Sequence, residues 1–467
     1  MLFSSLPFFL FFAVYFVLHL TVPARWRLAL IILGSTFFYG YWDYRFTPLP
    51  FCLLGIACVG VWWMDRAPEP GPRRRRLFAT VALLLAPLVF FKYVNFLYRD
   101  VFGLVFPIES DKLCDVVLPL GISFVTFTFI GYAVDVYWRQ EQRETRLGAL
   151  TSAVMFFPHL IAGPVVLPKQ LVWQMDRPRT GMRADEILSA VLIFAVGLMK
   201  KLIFADQLAA FVNPVFRHES AFTAPDYVLA IVGFSVQIYC DFSGYSDMAI
   251  GLAKLLGVEL PKNFERPYIA DSIVDFWQRW HITLSSWLRN YLYIPLGGNR
   301  HGIVRQIVNV MITMGLGGLW HGARWTFVFW GLAHGTVIAL THLLRYFGWK
   351  HALAAVPRGV WVLLTFVFVT LTWIPFRAEN MTDAWRVLSG VFAAPWPALG
   401  PFAAKNAFAL ILLAVFFLTH RYDYHGRIRL FVRRAPVELG WLVVMILTVL
   451  SVCVSAGGSA DFIYFDF

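Results

Sequence analysis

The sequence predicts an all-α, polytopic membrane protein, and three observations carry that prediction. Of its 467 residues 59% are hydrophobic and only 15% charged, with a mean hydropathy of +0.65, a balance that cannot clothe a water-soluble globule of this size. Apolar runs of helical length recur from one end of the chain to the other. Between them the basic residues collect in short loops, so the net charge of +12 reads as the positive-inside pattern and not as a nucleic-acid surface.

In chain order, apolar runs at 6–22, 28–42, 46–63, 77–98, 116–137, 187–206, 227–252, 306–320, 325–344, 360–376, 405–420 and 437–455 predict about 11–12 spans. The first run lacks a basic region ahead of it and is long for a signal peptide, so it is expected to be a retained helix. Arg25 and Arg27, then Arg66 with Arg73, Arg74, Arg75 and Arg76, then Arg139, Arg143 and Arg146 follow the first, third and fifth spans. The intervening loops, around Asp43 and over 100–115, are acidic or mixed, which places the amino terminus outside. Lys254, Lys262, Arg266, Arg345, Lys350, Arg358, Arg427 and Arg434 extend the inner set.

The run 150–171 is apolar but broken by Pro158, His159, Gly163, Pro164 and Pro168, with basic loops on both sides. It is expected to be a re-entrant hairpin, because irregular backbone survives at membrane depth only when protein or a cavity surrounds it. No repeat or large polar loop divides the chain, so 1–467 is expected to form one membrane domain, with amino-terminal helices over 1–137, a core over 150–345 and carboxyl-terminal helices over 358–467. The five cysteines include no C-x-x-C pair. Neither a zinc site nor a disulfide framework follows from them, and no bound metal or cofactor is expected.

Polar residues inside the apolar runs point to chemistry. The segment 237–247 holds Gln237, Tyr239, Asp241, Ser243 and Asp247. It is read either as a polar wall of a reaction cavity or, preferably, as a buried network fixing helix packing, since both carboxylates need partners. Lys200 and Lys201 are read as a helix end at the membrane surface. The densest group is 276–322. Over 276–291, Trp277, Trp280, His281, Leu284, Leu288 and Tyr291 recur at helical spacing, which predicts one amphipathic helix with Arg279, Thr283, Ser286 and Asn290 on its other face. After a break at Pro295, Gly297 and Gly298, the apolar run 307–320 is too short to span. That places His321, flanked by glycines, deep in the membrane, where an ionisable group marks a cavity or pathway. His159, His334 and His342 are intermediate cases; the remaining histidines lie near loops.

The segments Leu118-Pro119-Leu120-Gly121-Ile122-Ser123-Phe124, Pro158-His159-Leu160-Ile161-Ala162-Gly163-Pro164, 239–251, 276–300, Trp320-His321-Gly322 and the terminal 462–467 together resemble the membrane-bound O-acyltransferases, and within them the alginate O-acetyltransferase type. The chain departs from that pattern at Asp275, Gln278 and Asp466. The resemblance implies a ring of tilted helices around a thinned centre, where a histidine tunnel joins a cytoplasmic funnel to an outer cavity. It implies that His321 is the catalytic histidine and His281 the second one of the site.

Acyl transfer from a thioester to a hydroxyl needs a base, donors for the developing oxyanion, and exclusion of water. His321 is the expected base; His281 is expected to orient or to stabilise the oxyanion. Arg279, Arg289, Arg300 and Asn290 are assigned to the acyl-thioester donor, acetyl-CoA or an acyl carrier protein, on the cytoplasmic side. Arg305 joins them, and ordinary positive-inside charge is the competing reading of these arginines. The expected acceptor is an exported partner protein or a cell-surface polysaccharide such as alginate, in a bacterial inner membrane. Peptidoglycan acetylation and D-alanyl transfer to teichoic acid are alternatives by the same mechanism. An anion transporter or pore is the alternative from another class.

Overall fold

The computed structural model describes the whole chain except residues 107, 109, 111, 140–141, 176–181, 219–220, 350–354, 456–462 and 464–467. Lys350 and all of the terminal signature but Ile463 therefore lie outside the described residues. Helix accounts for 78% of the structure and no strand occurs among the described residues. The protein is a multi-pass, all-α membrane protein.

Eight helices among the described residues are long and apolar enough to cross a bilayer: Tyr44–Asp65, Pro70–Leu104, Ala184–Phe216, Ala224–Leu255, Gly302–His321, Trp325–Tyr346, Arg358–Arg377 and Val437–Val454. A ninth span is made if Leu399–Lys405 and Ala407–Tyr422 cross together, bent by 82°. Leu6–Thr21 and Ile122–Tyr137 are apolar but 16 residues each. The shortfall from the twelve runs read in the sequence has local causes. Helix starts at Ile122 and not at 116 because Gly121 adopts φ +71°, with the Leu160 carbonyl 2.8 Å from where a Cβ would stand; only glycine takes that turn at that distance.

The chain divides into two compact units, residues 1–190 with 249–261, and residues 191–248 with 262–467. In the first, the rings of Phe3, Phe8, Phe38 and Phe157 pack together, and Asp135, wholly buried, is paired with Lys169 at 2.7 Å. The interrupted run expected to re-enter is here two short helices, Leu147–Met155 and Phe157–Leu160, then non-helical backbone, then Pro168–Met175. Its residues are buried almost throughout. The Phe157 amide donates to Ser35 Oγ at 3.1 Å, and Thr128 donates to the Val166 carbonyl at 3.2 Å. The broken backbone is thus satisfied by surrounding protein.

In the second unit Lys200 and Lys201 are not at a helix end. They open a widened turn, Lys200–Ala205, inside the continuous helix Ala184–Phe216. Lys200 is held between Asp247 at 2.7 Å and Asp423 at 2.6 Å, and Lys201 between Asp206 at 2.9 Å and Asp241 at 2.7 Å. Tyr239 donates to Asp423, His425 bonds Asp247, and the Ile463 amide donates to Asp241. Asp206 is on the lysines' own helix, but Asp241 and Asp247 come from the helix Ala224–Leu255 and Asp423 from far along the chain, which a local reading of the lysines cannot register. Asp241 and Asp247 therefore belong to a packing network, as preferred above. Helices Ala184–Phe216 and Ala224–Leu255 also meet backbone to backbone. A Cβ on Gly197 would lie 2.5 Å from the Gly244 carbonyl, and one on Gly244 would lie 2.7 Å from that of Gly197.

Candidate active site

The region expected to be one amphipathic helix is two. Ile273–Arg279 begins at Ser272, whose side chain accepts from the Asp275 amide, an N-cap bond. It stops at Trp280, and Ile282–Leu288 begins after His281, whose φ of +43° and ψ of +53° put a non-glycine residue in the left-handed region. Such backbone persists only when its surroundings enforce it. Here Asn263 does so, because its carbonyl accepts from the Ile282 amide at 2.8 Å and its side-chain oxygen from the Thr283 amide at 3.3 Å and hydroxyl at 2.9 Å. The Glu265 amide closes on the Arg279 carbonyl at 2.9 Å. The break therefore falls at the histidine, where a 3.6-residue period cannot register it.

His281 is fully buried, its ring 4.7 Å from Phe242 and 6.1 Å from Trp320. Its Nδ1 lies 3.1 Å from Asn263 Oδ1. That oxygen already accepts from a backbone amide and so has no proton to give; Nδ1 is the donor and Nε2 carries the lone pair. Burial pushes this imidazole down to about 3, so it is neutral at ordinary pH. A neutral ring with its lone pair on Nε2 accepts a proton there. It does not donate there to an oxyanion.

His321 ends the helix Gly302–His321. That helix begins at Gly302, earlier than its apolar run, and its 20 residues reach spanning length; the depth of His321 therefore does not follow from shortness, but the residue is buried within the protein, at 3% exposure. Its ring is 4.9 Å from Trp320, 5.1 Å from Trp330 and 5.3 Å from Phe376. Both histidines thus border the Trp320 indole. Gly322 follows in extended backbone, and the Phe327 ring occupies the place a side chain would need. Gly318 and Gly331 bring this helix and Trp325–Tyr346 equally close, the small-residue contact expected of membrane helices.

His334 is excluded as a base by its bonds. Trp277 Nε1, which can only donate, lies 3.3 Å from His334 Nδ1, and His334 Nε2 lies 3.0 Å from Thr372 Oγ1, which donates to the Val369 carbonyl at 2.8 Å. The chain of donors is complete, with Nδ1 taken up as an acceptor.

A cavity of about 660 Å³ opens beside these helices, with Trp277, Leu288, Arg289, Arg300, Val310 and Met314 among its lining residues. Of the residues assigned to the donor, Arg289 and Arg300 line it. Arg279 does not; it is bound to Asp275 at 2.8 Å and to the Glu265 carbonyl at 3.4 Å. Asn290 is exposed and accepts from Arg289 at 3.4 Å, and Arg305 donates to the Leu296 carbonyl at 3.3 Å. His342 and Gln278 line the cavity as well. Asn263 was the residue missed by sequence reasoning, and nothing in its local sequence marks it.

Two buried histidines thus border one tryptophan beside a cavity that carries arginines, in an all-α membrane protein. The chain belongs to the membrane-bound O-acyltransferase family, whose model matches residues 154–372. It is 39% identical over 84% of its length to a probable alginate O-acetylase of Azotobacter vinelandii, 78% of which is covered. A probable alginate O-acetylase of Pseudomonas putida is 36% identical with both chains fully covered. A peptidoglycan O-acetyltransferase of Helicobacter pylori is 34% identical over 79% of this chain and 73% of its own. Family membership makes the protein a membrane O-acyltransferase.

Proposed function

We propose that the protein moves an acetyl group from a cytoplasmic thioester to a hydroxyl on an exported partner protein or on a cell-surface polysaccharide of the alginate kind, in a bacterial inner membrane. One observation carries the reading. The face of Gly302–His321 that lines the cavity at Val310, Thr313 and Met314 is the face that ends in His321, so a thioester held by the cavity points along the helix toward that imidazole. Arg289 and Arg300 suit the phosphates of coenzyme A or of a carrier's prosthetic arm.

In the reaction His321 takes the acceptor's hydroxyl proton as its oxygen attacks the thioester carbonyl. The C–S bond then breaks, and the thiolate leaves as a thiol with that proton. His281, held by Asn263 and bordering the Trp320 indole, orients the site, a positioning role that its tautomer supports better than oxyanion stabilisation. The aromatic rings of Trp320, Trp330 and Phe376 around His321 exclude water from it. Relatives named for alginate and for peptidoglycan support an acetyl group moved onto a polymer of the cell surface.

The test is the purified full chain in proteoliposomes with labelled acetyl-CoA on one side and candidate acceptors on the other. Label appearing as an ester on an alginate oligomer supports the reading. Transfer to peptidoglycan fragments alone would move the acceptor, and label unmoved with every acceptor and a partner protein present would overturn the donor.

A further inference from the structure

We propose that Leu288, seated on Gly317, is a gate between the cavity and His321, an inference that rests on the cavity being the donor's. Leu288 lines the cavity and is 7% exposed. Its Cδ1 stands 3.1 Å from where a Cβ on Gly317 would be, and among the described residues no other atom outside that stretch of helix lies within 4 Å of that point. Gly317 is on the cavity face of its helix, one turn beyond Thr313 and one turn before His321. Neither Gly317 nor His321 is a lining residue. The lining therefore stops short of His321, and the distance along the helix from Met314 to His321 is about 10 Å of rise.

A thioester carbonyl must cross that distance to meet the imidazole, and Leu288 is the side chain in the way. Gly317 leaves room for an isobutyl group where any larger residue would fill the passage. Leu288 also ends its helix at the widened turn Arg289–Tyr293, a backbone irregularity often found at functional sites. Closed, the side chain is an apolar plug that keeps cavity water from His321. Displaced by the donor's arm, it admits the thioester. Without the plug, water in place of the acceptor attacks the carbonyl, the C–S bond breaks, and a carboxylate and a free thiol result.

The experiment uses the purified full chain with acetyl-CoA and follows thiol release without acceptor and ester formation with it. Leu288→Ala raises acceptor-free hydrolysis on the order of tenfold relative to transfer, with the donor KM not increased. Gly317→Ala slows transfer on the order of tenfold by crowding Leu288, and adding Leu288→Ala to it restores transfer to near the level of Leu288→Ala alone. Thermal unfolding midpoints within a few degrees of the parent establish that each variant folds. Charge reversal of Arg289 and Arg300 tests the donor reading separately. If it leaves the donor KM unchanged, the donor reading and the gate fall together. If the donor KM rises while Leu288→Ala neither increases hydrolysis nor rescues Gly317→Ala, the gate alone is overturned.

Discussion

His281 donates from Nδ1 to Asn263 Oδ1 across 3.1 Å, and this bond fixes which nitrogen of the imidazole carries the proton. Replacing Asn263 by Leu removes the side-chain acceptor of His281 and Thr283 and leaves only the backbone carbonyl to support the left-handed turn. Transfer should then fall by about 10 to 10,000-fold, the range between losing an orienting partner and losing a tautomer. Asn263→Asp keeps an acceptor oxygen and adds a charge that raises the proton affinity of His281. It should retain more activity than Asn263→Leu and move the acid limb of the pH–rate profile to higher pH. Equal losses and an unmoved acid limb would reduce Asn263 to a purely structural residue.

The buried, neutral state of His281 has a consequence for acid stability. Its folded value of about 3 lies below the ordinary value of 6.5. Between those values the unfolded chain binds a proton that the folded chain does not, so stability falls as pH drops from about 6.5 toward about 3 and levels off below. His281→Gln cannot titrate. Its melting temperature, measured in detergent from pH 7 to pH 4, should decline less steeply than that of the parent, and parallel declines would show that another group governs acid unfolding.

The lysine and aspartate network permits a sharper stability test. Lys201 is 3% exposed and held by Asp206 and Asp241. Lys201→Met leaves buried carboxylates uncompensated and should cost about 3–5 kcal/mol, the usual penalty for breaking a buried pair from one side. Adding Asp241→Asn should recover part of that loss. Chemical denaturation of the two variants decides it, and a double variant no more stable than the single one would place the missing energy elsewhere.

Much of this architecture was legible because it is local. Hydropathy marks the helices, and Trp320-His321-Gly322 marks the end of one of them. What was not legible depends on residues far apart in sequence. The break at His281 is enforced by Asn263, 18 positions away; the pattern of Trp277, Trp280, Leu284 and Leu288 fits an unbroken helix as well as a broken one. Lys200 reads as a surface residue until Asp247, 47 positions on, is brought to it. Arg279 and Arg289 look equivalent in the sequence, but the Asp275 carboxylate four residues back holds Arg279, and only Arg289 lines the cavity.

The most direct test concerns His321. Its ring is enclosed by Trp320, Trp330 and Phe376 at the end of the face that borders the cavity. His321→Ala removes the proposed base and should lower transfer by about 100 to 10,000-fold. Donor affinity should persist, because Arg289 and Arg300 lie at the cavity and not at the imidazole. The outcome to measure is ester formation at saturating acetyl-CoA together with binding of a non-transferable thioether analogue. Lost transfer with retained analogue binding is the signature of a missing base. Near-normal transfer by the well-folded variant would remove His321 from the chemistry and assign the proton to His281, whose Nε2 already carries the lone pair.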